Sequence, residues 1–171
     1  QNIVGNAGDN YVSYDSGATW TNKGFRESFT SIQMNEAGNQ RIAVVSGGGI
    51  YTSSDSGVNW VETQEPRWAD IAMSSDGTQQ TAVGFNGVYI TTDSGNTWIE
   101  IPELNTNNYY NVATSSDGKY IYVAASGNPN VYRSDNYGVS GSWTTPTLPA
   151  LAWYFSVSST GQYVSSATSG S

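Results

Sequence analysis

Ser13-Tyr14-Asp15-Ser16-Gly17-Ala18-Thr19-Trp20 returns at 53–60 as SSDSGVNW and at 91–98 as TTDSGNTW. Trp20, Trp60 and Trp98 stand 40 and 38 residues apart. A fourth, degraded copy runs Ser134-Asp135-Asn136-Tyr137-Gly138 and reaches Trp143 after a two-residue insertion. A fixed period of this length marks one supersecondary unit used repeatedly, and such units bury a core only by stacking on their neighbours.

Upstream of each phrase sits a second punctuation mark. Asn35-Glu36-Ala37-Gly38, Ser74-Ser75-Asp76-Gly77, Ser115-Ser116-Asp117-Gly118 and Ser158-Ser159-Thr160-Gly161 are polar turns that end in Gly, the residue that accepts positive φ. The third repeat reads most cleanly, with strands expected at 68–73, 80–83, 87–92 and 97–101. Four short strands per period, separated by turns, describe a four-stranded antiparallel meander. No segment carries helical periodicity. The expected architecture is therefore all-β: a small β-propeller of about four blades, each a four-stranded antiparallel sheet.

Within a blade the phrase falls between strands three and four. The Asp carboxylate is placed to accept N–H groups of its own turn, and the Gly two residues on supplies an unusual backbone angle. The Thr, Ser or Asn before Trp starts the last strand, and the indole packs under the turn. Fold maintenance accounts for every residue of the phrase.

The pattern S-x-D-x-G-x-T-W resembles the Asp-box (BNR-type) repeat of sialidase-like and sortilin-like propellers, xyloglucan hydrolases and photosystem-assembly propellers. The match rests on Ser13, Asp15, Gly17, Thr19 and Trp20, then Ser53, Asp55, Gly57 and Trp60, with Asn59 in the Thr place. It continues through Thr91, Asp93, Gly95, Thr97 and Trp98. In the last copy Ser134, Gly138 and Trp143 hold their places, while Asn136 replaces the acid and implies a looser turn. The resemblance implies a structural motif at the propeller's periphery, away from any ligand site.

Residues 1–171 form one repeat domain: a partial first blade at 1–24, full blades at 25–66, 67–104 and 105–149, and two further strands within 150–171. Residues 1–24 hold only later strands, at 3–5, 11–14 and 19–21, whereas 153–157 and 162–167 read as strands one and two. The C-terminal strands thus complete the first blade or that of a neighbouring subunit. Closure within one molecule is the expectation, because local concentration outweighs intermolecular pairing. A surplus second strand keeps a head-to-tail homo-oligomer or filament open, and so does membership in a longer repeat protein.

Chemistry is sparsely provided. The chain has no His and no Cys, which removes Ser-His triads, thiol nucleophiles and His-ligated metals. Asp76-Gly77 and Asp117-Gly118 lack the dense acidic run of a calcium loop. A sialidase-type site needs three converging arginines, but Arg26, Arg41, Arg67 and Arg133 are scattered and the family's Arg-Ile-Pro signature is missing. Glycoside hydrolysis needs two facing carboxylates, and Glu27, Glu65, Asp70 and Glu103 read mostly as solvated loop acids. No catalytic residue, metal or cofactor is expected.

A formal charge of -8 disfavours nucleic acid and anionic membrane surfaces, and no apolar run suits membrane insertion as a helix. Few lysines among abundant Ser, Thr, Asn and Gly suggest an extracellular or cell-surface setting. No signal peptide is visible at Gln1-Asn2, and a mature product that has lost one reads the same. Phe29, Trp68, Tyr110 and Trp153 open the first strands and are expected to gather at one mouth of the axial channel, as inter-blade packing or a sugar platform. Tyr14, Tyr109, Tyr137 and Tyr154 depart from the repeat and suggest a partner surface. The resulting reading is a non-catalytic interaction and assembly module whose partner is a protein or itself. A carbohydrate-binding (lectin-like) propeller that takes glycans is the alternative, and a fragment of an Asp-box glycoside hydrolase the distant one.

Overall fold

Short β-branched and aromatic runs between glycine turns leave the backbone one way to satisfy its polar groups, which is to pair with the adjacent run. The computed structural model describes residues 2–4, 10–24, 27–45, 48–64, 68–85, 87–127, 130–146 and 153–167. Arg26, Glu65, Arg67 and the Gly5 end of the first expected strand lie outside them.

In chain order the strands are β1 (Asn2–Val4), β2 (Asn10–Val12), β3 (Thr21–Asn22), β4 (Phe29–Met34), β5 (Arg41–Val45), β6 (Ile50–Ser53) and β7 (Val61–Gln64). They continue as β8 (Trp68–Met73), β9 (Gln80–Gly84), β10 (Gly87–Thr91), β11 (Ile99–Glu100), β12 (Tyr109–Thr114), β13 (Ile121–Ala125) and β14 (Val131–Ser134). The last are β15 (Trp143–Thr144), β16 (Tyr154–Val157) and β17 (Val164–Ala167). One 3-10 turn, Pro102–Leu104, joins the third blade to the fourth. Among the described residues there is no α-helix.

Three complete antiparallel meanders form: β4–β7, β8–β11 and β12–β15. Before them β1–β3 make a three-stranded sheet, and after them β16 and β17 pair only with each other. First strands pack side by side, β4 on β8, β8 on β12 and β12 on β16, so the sheets succeed one another around an axis as propeller blades. Each second strand runs through the centre of its blade, and β5 and β9 are buried along their whole length. β17 is exposed at all four residues.

The expected closure of the first blade by the C-terminal strands is not seen among the described residues. Among the described residues no pairing joins β16 or β17 to β1–β3. β1 is itself a second strand paired with β2, so such closure would use the other edge of β1 and leave β17 as the surplus strand.

Blades are joined by two devices repeated in register. One is a backbone ladder in which Glu36 N–H donates to Ser75 O, Ser75 to Ser116 O, and Ser116 to Ser159 O, at 2.8, 2.8 and 2.9 Å. The other is a side chain laid over the turn glycine of the next blade. Gln40 covers Gly77, Gln79 covers Gly118, and Tyr120 covers Gly161, so closely that a Cβ on these glycines would overlap the covering side chain. All three glycines also sit at positive φ. Gly38 shares the backbone angle, at +70°, but has nothing within 4 Å of where its Cβ would lie.

The two demands on these glycines separate experimentally. Gly118→Ala should lose about 1–2 kcal/mol for the left-handed backbone and a further ~1–3 kcal/mol for overlap with Gln79. Gly38→Ala should lose the first amount alone. Urea unfolding of both variants measures the difference, and equal losses would refute the covering role.

Candidate functional site

The perimeter turns come first because the repeat pointed there. Ser13 Oγ donates to Asp15 Oδ1 at 2.8 Å and accepts Gly17 N–H at 2.7 Å. Asp15 then accepts the Thr19 N–H and hydroxyl at 2.8 and 2.6 Å. The second copy repeats this with Ser53, Asp55, Gly57 and the Asn59 amide. The third repeats it with Thr91, Asp93, Gly95 and Thr97.

In the fourth copy the hydroxyls of Ser134 and Ser142 meet directly at 2.7 Å, so the turn closes without the acid that Asn136 replaces. The inserted loop is held from outside, where Glu103 accepts the Ser140 hydroxyl and Gly141 N–H at 2.8 and 2.5 Å. Indole N–H groups of Trp20, Trp60 and Trp143 donate to Gly17, Gly57 and Gly138 carbonyls at 3.1, 3.2 and 3.0 Å.

Three details differ from the expectation. Positive φ falls on two successive residues, Ser16 with Gly17, Ser56 with Gly57, Ser94 with Gly95, and Tyr137 with Gly138. In three blades the first of these donates its N–H to the preceding turn of the same blade: Ser56 to Asn39 O, Ser94 to Thr78 O, and Tyr137 to Lys119 O. In the first three copies the residue before Trp belongs to the turn, and strand four starts beyond the indole. All four indoles are half-buried.

Hydrogen bonding holds each box carboxyl at about 2, below its ordinary 3.8. For Asp15 the Thr19 hydroxyl contributes most, for Asp55 the Asn59 N–H, and for Asp93 the Thr91 hydroxyl. Asp76 and Asp117 are also lowered, first by the hydroxyls of Ser74 and Ser115.

Along the axis, first strands line a cleft of about 380 Å³ that includes Gln33, Asp70, Met73, Asn111, Thr114 and Phe155. Asp70 is the central group. Its carboxylate accepts Ile71 N–H at 2.9 Å, Asn111 Nδ2 at 2.8 Å, Val112 N–H at 3.1 Å and the Ser31 hydroxyl. Asn111 Oδ1 in turn accepts Phe155 N–H at 2.8 Å, so one polar chain stitches β4, β8, β12 and β16. Burial pushes the Asp70 carboxyl up, against the hydrogen bonds. Glu103 is remote from this chain, committed to the 140–141 loop. Among the described residues no three acidic side chains converge as a metal site.

The expected ring of axial aromatics does not assemble. Phe29 and Trp68 are buried inside their blades, edge-on to Tyr51 and Tyr89 with centroids 6.1 and 5.1 Å apart. Their counterpart in the fourth blade is Tyr109, packed likewise on Tyr132 at 5.8 Å. Each precedes a register shift in its first strand, at Phe29/Ser31, Trp68/Asp70 and Tyr109/Asn111. Tyr109 is therefore core, and burial pushes its phenol up to about 12. The reading that made it a surface residue is corrected.

Tyr110 lies one place along and pairs with Trp153 at 5.0 Å, tilted by 36°. Of the other tyrosines, Tyr14, Tyr137 and Tyr154 are exposed as anticipated. Tyr163, the most exposed large hydrophobic side chain among the described residues at 70 %, was missed. Counting five residues from Asn35, Ser74, Ser115 and Ser158 reaches Gln40, Gln79, Tyr120 and Tyr163, and that signal could have found it.

No family model matches this chain, and no curated protein does. Its fold is similar to solved β-propellers. Against the GH74 xyloglucanase from Xanthomonas campestris the TM-score is 0.77 at 14 % identity, over 98 % of this chain and 33 % of that one. YCF48 from Cyanidioschyzon merolae gives 0.68 at 18 %, over 92 % and 58 %. The nidogen/laminin complex gives 0.73 at 9 %, over 98 % and 69 %. The chain thus spans about a third of the xyloglucanase and over half of YCF48.

A carboxyl whose pKa is depressed by folding stabilises the fold fully above its unfolded value and loses that contribution as pH falls through the folded one. Stability should therefore decline between about pH 4 and pH 2 as the three box carboxylates protonate. Asp93→Asn should lower stability at neutral pH and flatten that decline. Thermal melts across the range test this; an undiminished decline in the variant would exclude the box as its cause.

Proposed function

We propose that this chain is a run of Asp-box blades serving as a non-catalytic protein-interaction and assembly module, at the cell surface or outside the cell. β17 carries the reading. All four of its residues are exposed, and β16 is its single strand partner among the described residues. A strand in that state offers a row of backbone donors and acceptors for strand addition.

The spent chemistry of the acids supports a non-catalytic role. Box carboxylates close turns, Asp70 ties four strands together, and Glu103 fastens a loop. Likeness of fold adds that YCF48 has been solved bound to a D1 peptide and nidogen in complex with laminin, so propellers of this shape accommodate protein partners.

A carbohydrate-binding alternative rests on Tyr110 and Trp153, the aromatics of the expected set that remain outside the core clusters. Silence of the intact chain across a glycan array would remove this alternative.

Sedimentation velocity over a concentration series tests assembly. The intact chain should form species heavier than its 18.3 kDa monomer, and an excess of a peptide spanning residues 153–167 should dissolve them. A monomer at every concentration would refute self-assembly.

A further inference from the structure

We propose that the perimeter cleft between the second and third blades is a binding site for a neutral saccharide. Both blades, β4–β7 and β8–β11, are complete, and the cleft is separate from β17 and from the Tyr110–Trp153 pair. It holds about 430 Å³, within the range of small-molecule sites. Thr52, Ser54, Asp55, Gln80 and Asn96 line it together with Val61. The equivalent joint between the third and fourth blades is closed by apolar packing. Under Gly138, Ile90 and Ile121 stand 3.2 and 3.1 Å from where a Cβ would lie, and both belong to the core. Under Gly95 the same two places hold Thr52 and Gln80, at 3.1 and 3.2 Å. Gln80 is 2 % exposed, its Nε2 donates to Gly77 O at 2.9 Å, and its Oε1 has no hydrogen-bond partner among the described residues. A buried acceptor left unpaired lowers stability, a cost that the isoleucine pair avoids. Packing alone therefore does not account for the polar pair.

The joint between the first and second blades is bridged in another way. Tyr14 reaches across it, with its hydroxyl 3.5 Å from Ser56 O. Ser54 stands in the place of Tyr14 and is too short to span the next joint, so the mouth of the cleft stays open. The lining then selects the ligand. The hydroxyls of Thr52 and Ser54 both donate and accept. Asn96 commits its Nδ2 to Asp93 O at 2.6 Å and keeps its amide oxygen as an acceptor. The Asp55 carboxylate, ionised and exposed at the rim, accepts as well. Such a set pairs with the hydroxyls of a sugar, and exposed Val61 offers apolar contact to the C–H face of its ring. Asp55 and the formal charge of -8 repel anionic glycans.

Two full-length variants close the site by copying the chain's other joints, so both should fold, and thermal melts verify it. Thr52→Ile/Gln80→Ile reproduces the isoleucine joint. Ser54→Tyr reproduces the bridged one, and it decides the matter alone if the first variant unfolds. On an array of neutral and sialylated glycans the intact chain should bind neutral members in preference. Titration calorimetry with the strongest neutral glycan should then show at least a tenfold loss of affinity in each folded variant. Undiminished binding by the folded variants would overturn this site and leave the Tyr110–Trp153 alternative standing. A preference for sialylated glycans would overturn the proposal through its charge argument. Silence across the array would overturn this site and that alternative together, without touching the assembly reading.

Discussion

A four-stranded sheet with apolar residues on both faces has no stable existence alone, and everything in this molecule depends on how one blade is fastened to the next. The fastening is a short polar turn at the end of each first strand. Its backbone donates along the series from Glu36 to Ser75, Ser116 and Ser159, and at Gly77, Gly118 and Gly161 its glycine is roofed by a side chain from the preceding blade. Between these joints the aliphatic second strands, such as Arg41–Val45 and Gln80–Gly84, are sealed from water. Asp70 adds a buried polar stitch near the axis. Its four hydrogen bonds counter only part of the desolvation, which still raises its pKa.

The perimeter turns work differently. They stabilise each blade separately, through a hydroxyl, a carboxylate and a second hydroxyl or amide in sequence. A box N–H then ties that turn to the other turn of the same blade. The fourth blade attains the same closure with Ser134 and Ser142 after losing the acid. Box chemistry is thus degenerate in composition and constrained in geometry: any pair of short polar side chains that meets beneath the two positive-φ residues serves. Among the four boxes acid sensitivity belongs to the first three, whose closures depend on a charge; the turns at Asp76 and Asp117 share it.

Much of the fold was legible residue by residue, since strands at 68–73 and 87–91 follow from β-branched and aromatic runs between glycine turns. The aromatic series was misread for a physical reason. First strands carry a register shift just after Phe29, Trp68 and Tyr109, and in the fourth blade a second tyrosine, Tyr110, follows the first. Counting along the chain could not tell which one faces the core. Tyr163 escaped notice because its counterparts Gln40 and Gln79 are polar and disguise a repeated position.

By itself the sequence determined the repeat, the turn chemistry and the all-β class, because hydroxyl, carboxylate and glycine at fixed spacing act over a few residues. Tertiary structure alone decided that Tyr109 is core and that Asp70 is consumed in a four-strand stitch. Those outcomes turn on which blade stands beside which, a matter of burial and register between segments some forty residues apart, which a periodic local signal does not report.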